Sequence, residues 1–192
     1  MQTTQLEGNI SLMFQENFFE ISEKDLKALW DICPKERHEI KIMGKMIKIP
    51  RFQTAFGKSY KYSGSVMKGE ETPEIVQKIA EKIQKELFPE IVFNNVLANW
   101  YTDGTQYIGF HADNTKPFKD GTPVVGVTFC EGKSRKLVIK KKKGRKTVTS
   151  VKLTHGSCYV MEGSDFQKKY LHGLPKQKQA GKRLSFTFRC FK

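Results

Sequence analysis

The chain has 192 residues, enough for one substantial hydrophobic core, and reads as a single domain over 1–192. Its 34 Lys and Arg against 20 Asp and Glu give a formal charge of +14, an excess that points to a polyanionic partner, nucleic acid ahead of an anionic membrane surface. No apolar run approaches the roughly 20 residues that span a bilayer, no basic-then-apolar leader opens the chain, and Cys33, Cys130, Cys158 and Cys190 lack any C-x-x-C spacing, so the expectation is an intracellular protein with reduced thiols and no membrane partner.

In chain order, residues 1–20 begin as a disordered tail, although Leu12, Phe14, Phe18 and Phe19 predict that part of 10–19 packs on the core. Ser22-Glu-Lys-Asp25 reads as a helix start with Ser22 as the cap, and Pro34 stops that helix. Residues 38–50 alternate loosely and suggest a hairpin around Gly44. In 50–64, Phe52, Phe56, Tyr60 and Tyr62 are interleaved with Arg51, Lys58 and Lys61. Such a segment can stack on an unpaired base, or it can be an ordinary strand with its aromatics in the core. Thr72-Pro73 opens the clearest helix, with Thr72 capping and Pro73 at the first helical position. Ile75, Ile79, Ile83 and Leu87 recur every four residues, and Pro89 ends it.

From residue 91 the pattern is strand-rich, with candidates at 93–101, 107–111, 124–130, 135–141, 146–153, 157–161 and 183–190. Short strands with polar turns predict a mainly β core, and closure into two sheets is the usual way to protect their edges. The run 133–146 carries nine Lys or Arg and no acid, with Leu137, Val138 and Ile139 marking a strand that enters a turn at Gly144. Lys140, Lys141, Lys142 and Lys143 are its densest part. They can grip phosphates without reading sequence, form a solvated face, or act as a nuclear-import signal. A second basic patch, Lys168, Lys169, Lys176, Lys178 and Lys182, flanks His172, and both patches are expected at the mouth of one site.

That site is centred on His111 and Asp113. Side chains two apart on an extended backbone share a face, so an imidazole and a carboxylate can converge on one metal ion. With His172 they make the two-His, one-carboxylate set of non-heme iron(II) oxygenases. Arg183-Leu-Ser-Phe-Thr-Phe-Arg189 alternates, so Arg183, Ser185, Thr187 and Arg189 share one strand face while Leu184, Phe186 and Phe188 pack on the other. An Arg fork suits a carboxylate. His155, before Gly156-Ser157, reads as structural, and His38 has no assigned role.

Asn99-x-Tyr101, Asp103-Gly104, Ile108-Gly109, His111-x-Asp113, His172 and Arg183-x5-Arg189 occur in one order. With Pro50-Arg51-x-Gln53, Tyr62-Ser63-Gly64, His155-Gly156-Ser157 and His172-Gly-Leu-Pro175, the stretch from Pro50 to Phe191 resembles the AlkB family of iron(II)- and 2-oxoglutarate-dependent nucleic-acid dealkylases, and its eukaryotic DNA-repair branch in particular.

The resemblance implies a double-stranded β-helix, a jelly-roll variant, with flanking N-terminal helices: 1–49 an extension and helix, 50–90 a nucleotide-recognition lid and scaffold helix, 91–192 the catalytic core. It implies Fe(2+), 2-oxoglutarate and O2, with His111, Asp113 and His172 as metal ligands and Asn99, Tyr101, Arg183, Ser185 and Arg189 around the co-substrate. Phe56, Tyr60 and Thr115 become candidate base contacts. The implied reaction is oxidative demethylation of N1-methyladenine- or N3-methylcytosine-type bases in DNA or RNA, taken from single strands or flipped from a duplex, by a monomer in the nucleus or cytoplasm, or in a host cell if the source is viral. Asn114-Thr115 departs from the family, which commonly has acidic residues there, and leaves the preferred lesion open. A 2-oxoglutarate-dependent hydroxylase acting on a protein side chain, or a catalytically silent nucleic-acid-binding module, are the alternatives.

Overall fold

The computed structural model describes every residue except Met43, Ser63, Gly64 and Ser164, so the Ser63-Gly64 part of the Tyr62-Ser63-Gly64 motif lies outside the described residues. In chain order the elements are β1 (Gln2–Glu7), β2 (Ile10–Gln15), α1 (Glu23–Asp31), β3 (Glu39–Ile42), β4 (Lys45–Lys48), β5 (Phe52–Gly57), β6 (Tyr60–Tyr62), β7 (Ser65–Met67), β8 (Gly69–Glu70), α2 (Glu74–Leu87), β9 (Asn95–Tyr101), β10 (Ile108–His111), β11 (Val124–Gly132), β12 (Arg135–Lys141), β13 (Thr147–Leu153), β14 (Ser157–Glu162), α3 (Phe166–Lys169), β15 (Tyr170–Leu174) and β16 (Ala180–Arg189).

An eight-stranded sheet runs β1-β2-β14-β11-β16-β9-β5-β8, and a four-stranded sheet runs β10-β15-β12-β13. Apolar side chains of both sheets meet in one core: Leu97, Val124 and Met161 from the large sheet against Leu137, Ile139, Leu153 and Leu174 from the small one. This is the jelly-roll, double-stranded β-helix arrangement, flanked by α1 and α2. The other face of the large sheet is covered by α2, whose Val76, Ile79 and Ile83 are fully buried in a second core with Ala98, Trp100, Phe186 and Phe188.

Alternation explains why the large sheet can serve both cores. On β16, Leu184, Phe186 and Phe188 enter the helix-side core, and on β9, Val96, Ala98 and Trp100 do the same. Their neighbours, Arg183, Ser185, Thr187 and Arg189 on β16 and Leu97, Asn99 and Tyr101 on β9, point between the sheets. β9 and β16 are antiparallel partners, with Tyr101 opposite Arg183 and Asn99 opposite Ser185.

The helices follow their sequence signals closely. Ser22 Oγ accepts a hydrogen bond from the Asp25 amide at 3.0 Å, capping α1. Trp100 Nε1 donates to Leu29 O, also at 3.0 Å, and docks α1 on the sheet. In α2 the cap is displaced by one residue: Pro73 holds the cap position with extended ψ and no side-chain bond, while Thr72 O accepts from Gln77 Nε2.

Two expectations need correction. The N-terminal segment is no tail, because β1 pairs with β2 and β2 pairs with β14, extending the large sheet. β1 is an exposed edge strand with almost no apolar residues, so no pattern announces it, although Ile10, Leu12 and Phe14 on β2 do enter the core. β15 is absent from the strands that the sequence predicts. It is buried along its whole length between β10 and β12, which removes the apolar–polar alternation that marks a half-exposed strand.

Asp103-Gly104 is explained by close packing. A Cβ on Gly104 would lie 1.8 Å from Gln177 O, and Gln177 N already donates to Gly104 O at 2.8 Å. Gly104→Ala must therefore move backbone, and it is expected to destabilise the fold by about 1–3 kcal/mol. A thermal melt reads this as a lower midpoint; an unchanged midpoint would mean that the two loops separate freely.

Candidate active site

His111 ends β10 and His172 lies in the middle of β15, and the two are direct cross-strand partners. Their rings are 4.3 Å apart between centroids. Asp113, just past β10, turns its carboxylate to both: Oδ1 lies 3.5 Å from His111 Nε2 and 3.7 Å from His172 Nε2. One ligand atom from each of the three falls within 4.8 Å of the others.

The surrounding bonds fix which atoms face inward. His111 Nδ1 is 2.9 Å from Gly109 O, so the backbone takes that nitrogen and leaves Nε2 free. Arg189 sends Nη2 and Nε to Asp113 Oδ2, at 2.8 and 3.1 Å. Oδ1 is then the oxygen left for a cation. Gln167 Oε1 accepts from the Asp113 amide at 2.8 Å and holds the turn after β10.

Electrostatics matches this geometry. Burial alone would raise the Asp113 carboxyl, but the Arg189 guanidinium and the adjacent imidazoles hold it well below the carboxylate range. Burial, reinforced by His111, lowers His172 to about 3. A charged carboxylate beside a neutral imidazole is the protonation pattern that ligates a cation. Two imidazole nitrogens and one carboxylate oxygen on one side, with the other positions open, suit iron(II).

The three residues line a cleft between the two sheets. Asn99, Tyr101, Arg183, Ser185 and Arg189 line it as well, so every residue expected around the co-substrate converges here. Arg183 Nε is buried without a hydrogen-bond partner. Arg189, expected on the co-substrate, has Asp113 as its partner in this structure.

The candidate base contacts divide. Tyr60 lines the cleft, with its ring stacked on Phe191 at 6.1 Å and the Arg189 guanidinium 5.1 Å from its centre. Phe56 does not line it. It is 2% exposed in the helix-side core, because Arg51, just before β5, and Gln53 take the cleft-facing parity and Phe52 and Phe56 the opposite one. Thr115 lies in a neighbouring cleft with Phe118, Lys119 and Lys168, outside the lining of the metal cleft.

The basic hairpin is β12–β13, whose first strand pairs with β15 so that Ile139 is opposite His172 and Lys140 opposite Leu171. Lys140 Nζ lies 4.0 Å from the centre of the Phe110 ring. Lys141, Lys142 and Lys143 share a groove with Lys168, Lys169 and Tyr170. The second patch is thus split: Lys168 and Lys169 join the hairpin, whereas Lys182 stands over Trp30 beside α1, on the helix side of the large sheet. His155 is structural, with Nδ1 2.9 Å from Cys130 O and its ring against Phe129.

Three cleft-associated residues have no role that the sequence assigns. Arg51 and Gln53 belong to Pro50-Arg51-x-Gln53, and both side chains meet the Asn99 amide. Their i, i+2 spacing is the available signal. Arg135 reads in the sequence as part of the basic run, yet it is 1% exposed. Its signal is the inward parity it shares with Leu137 and Ile139.

Residues 23–189 match the profile of the 2OG-Fe(II) oxygenase superfamily. Among curated proteins, the chain is similar to the DNA oxidative demethylase ALKBH2 of Homo sapiens, 29% identical over 161 residues that cover 78% of this chain and 60% of that protein. It is likewise similar to the Bos taurus protein, at 29% with 78% and 56% covered, and to the Arabidopsis thaliana protein, at 28% over 211 residues with 93% and 63% covered. The chain thus spans about three-fifths of the length of these relatives. Among solved structures, that titled "The structure of OsALKBH1" superposes with a TM-score of 0.66 at 15% identity, covering 98% of this chain and 100% of the other, which is a likeness of fold.

The titration of His172 sets a pH dependence for the metal-free protein. Its folded value of about 3 lies below the ordinary 6.5, so between those values the unfolded chain binds a proton that the fold refuses. Stability therefore falls as pH drops from 6.5 towards 3, and the depressed Asp113 carboxyl adds to the loss at the acid end. Melting midpoints from pH 7 to pH 4 are expected to decline, with a shallower decline in His172→Gln. Parallel curves for the two proteins would mean that His172 titrates normally.

Proposed function

The chain belongs to the 2OG-Fe(II) oxygenase superfamily, whose members are dioxygenases that use iron(II), 2-oxoglutarate and O2, and from that premise we propose that it oxidatively demethylates N-alkylated bases in DNA, working as a single-domain monomer. The observation that carries the nucleic-acid substrate is the groove where Lys141 at the end of β12, with Lys142 and Lys143 after it, meets Lys168 and Lys169 of α3, the last two paired with Asp165 and Glu7; β12 pairs with β15, the strand of His172. A hydroxylase for protein side chains has no need of it. The activity that names the relatives, DNA oxidative demethylation, supports the choice of DNA.

In this reading His111 Nε2, Asp113 Oδ1 and His172 Nε2 hold the metal, and Arg189 keeps Asp113 ionised and aimed. Arg183 receives the distal carboxylate of 2-oxoglutarate, with Tyr101 and Ser185 beside it and Asn99 oriented through its bond from Arg51 Nε at 2.9 Å. Bound iron(II) with 2-oxoglutarate and O2 supplies the oxidation of the N-methyl carbon, after which the hydroxymethyl group leaves as formaldehyde. Tyr60, stacked on Phe191 and with the Arg189 guanidinium 5.1 Å from its ring centre, forms part of the cleft wall that a flipped base would meet. Asn114 accepts from the Lys116 amide and shapes the loop where the resembled family commonly carries acids. A neutral loop attracts a cationic methylated base less than an acidic one would.

Formaldehyde release from methylated DNA oligonucleotides, dependent on 2-oxoglutarate, is the direct test. His111→Ala, Asp113→Ala and His172→Ala are each expected to abolish it while the folded protein remains. Release from methylated RNA alone would move the substrate to RNA, and release from neither would remove the demethylase reading. Near-normal turnover in any of the three variants would take that residue out of the metal site.

The lysines make a separate prediction. Replacing Lys140 to Lys143 by Gln is expected to weaken binding to all oligonucleotides alike, because a grip on phosphates carries no sequence information. The slope of log affinity against log salt becomes shallower by roughly 0.7–0.9 for each phosphate that is no longer neutralised. Identical slopes for wild type and variant would leave import or solvation as the role of these lysines.

A further inference from the structure

Arg135 is the largest charged side chain in the interior whose presence the metal chemistry does not explain. It is 1% exposed, and its one hydrogen bond is from Nη2 to Pro175 O at 2.6 Å. Nε and Nη1 are buried with no partner. Among the described residues no carboxylate lies within ion-pair distance of it, and the nearby Asp103 is already engaged by the amide and hydroxyl of Thr105. A guanidinium in this condition is a burden to a fold that needs it only for packing, since unsatisfied buried donors and an unpaired buried charge both cost stability.

Its surroundings indicate what the charge is for. Arg135 Cζ stands 5.3 Å from the centre of the Tyr101 ring, and Arg183 Cζ stands 5.1 Å from the same ring. Tyr101 and Arg183 line the metal cleft, as does Leu137, two residues along β12 from Arg135 on the same face. Burial and the neighbouring Arg183 pull Arg135 from its ordinary 12.5 down to about 10, still a cation at neutral pH. Two guanidiniums therefore converge on one tyrosine at one end of the cleft, and Arg183 Nε is likewise unpartnered.

We propose that Arg135 is a positioning residue for the co-substrate: it braces Tyr101 and adds a second positive charge behind Arg183, so that this end of the cleft selects 2-oxo acids with a distal carboxylate over those without one. The inference rests on the reading of Arg183 as the clamp for that carboxylate. It has a structural corollary. This end of the cleft holds more positive charge than the protein itself satisfies, so the residue that tightens co-substrate binding weakens the ligand-free fold.

The test uses the full chain loaded with Mn(II), which allows binding without turnover. Calorimetric titrations compare 2-oxoglutarate with 2-oxopentanoate, which has the same chain length and no distal carboxylate. Arg135→Met is expected to lower the affinity for 2-oxoglutarate roughly two- to tenfold, less than the loss of a direct charged hydrogen bond, while the affinity for 2-oxopentanoate stays where it was. Arg135→Lys keeps the charge and should retain part of the preference. In the metal-free, ligand-free state Arg135→Met should melt no lower than wild type. An unchanged preference in Arg135→Met overturns the inference, and so does a variant that unfolds or loses both acids equally, since Arg135 is then a structural residue. Arg183→Met separates the two readings. A loss of 2-oxoglutarate affinity there with none in Arg135→Met sinks this inference alone. No loss in Arg183→Met sinks the clamp assignment beneath it.

Discussion

Asp113 is a carboxylate taken almost completely out of water, and a buried charge must be matched on the spot. Arg189 matches it with two donors on one oxygen, and that single pairing fixes much else. It requires Arg189 to face the space between the sheets, so the parity of β16 follows: Thr187, Ser185 and Arg183 face the same way. It also leaves Asp113 Oδ1 as the free oxygen towards His111 and His172. Arg189, beside Asp113, and Arg183 are thus two ends of one strand face.

The large sheet makes this possible because its two faces have different tasks. Its helix side is wholly apolar around Trp100, Phe186 and Phe188, and α2 closes it with Val76, Ile79 and Ile83. That packing leaves the opposite face to carry arginines, an asparagine and hydroxyls. The small sheet supplies the complement. β10 and β15 bring the two histidines into cross-strand register, and β12 adds Leu137 as wall and Arg135 as charge. Gly104 permits the loops beyond β9 and β15 to touch, which ties β9 to the strand of His172.

The positive charge of the chain is sorted by environment. Arg189 is neutralised by Asp113 inside the site. Arg183 and Arg135 are buried with donors that have no hydrogen-bond partner. Lys141 to Lys143, Lys168 and Lys169 gather in a solvent-open groove, where long-range attraction to a polyanion operates and salt screens it. Lys182 lies on the helix side over Trp30, where its charge serves neither. Net charge alone could not separate these four settings.

The sequence by itself determined the parts governed by local periodicity. The alternation of Arg183 to Arg189, the shared face of Asn99 and Tyr101, the α2 stripe, the Ser22 cap and the closeness of His111 to Asp113 all follow from periods of 2 and 3.6 residues. Periodicity is informative where one face is apolar and the other polar. It is silent for β15, buried on every side, and for β1, exposed on nearly every side. Tertiary structure alone decided that Phe56 belongs to the core and Tyr60 to the cleft, because a turn at Gly57, with φ +74°, separates them and resets the parity between β5 and β6. It also decided that Asp113 is the partner of Arg189, that the two histidines lie side by side, and that Arg135 stands inside rather than in the basic surface. Each of these depends on the register between strands far apart in the chain, and register is set by the packing of the whole core and by no residue's neighbours in sequence.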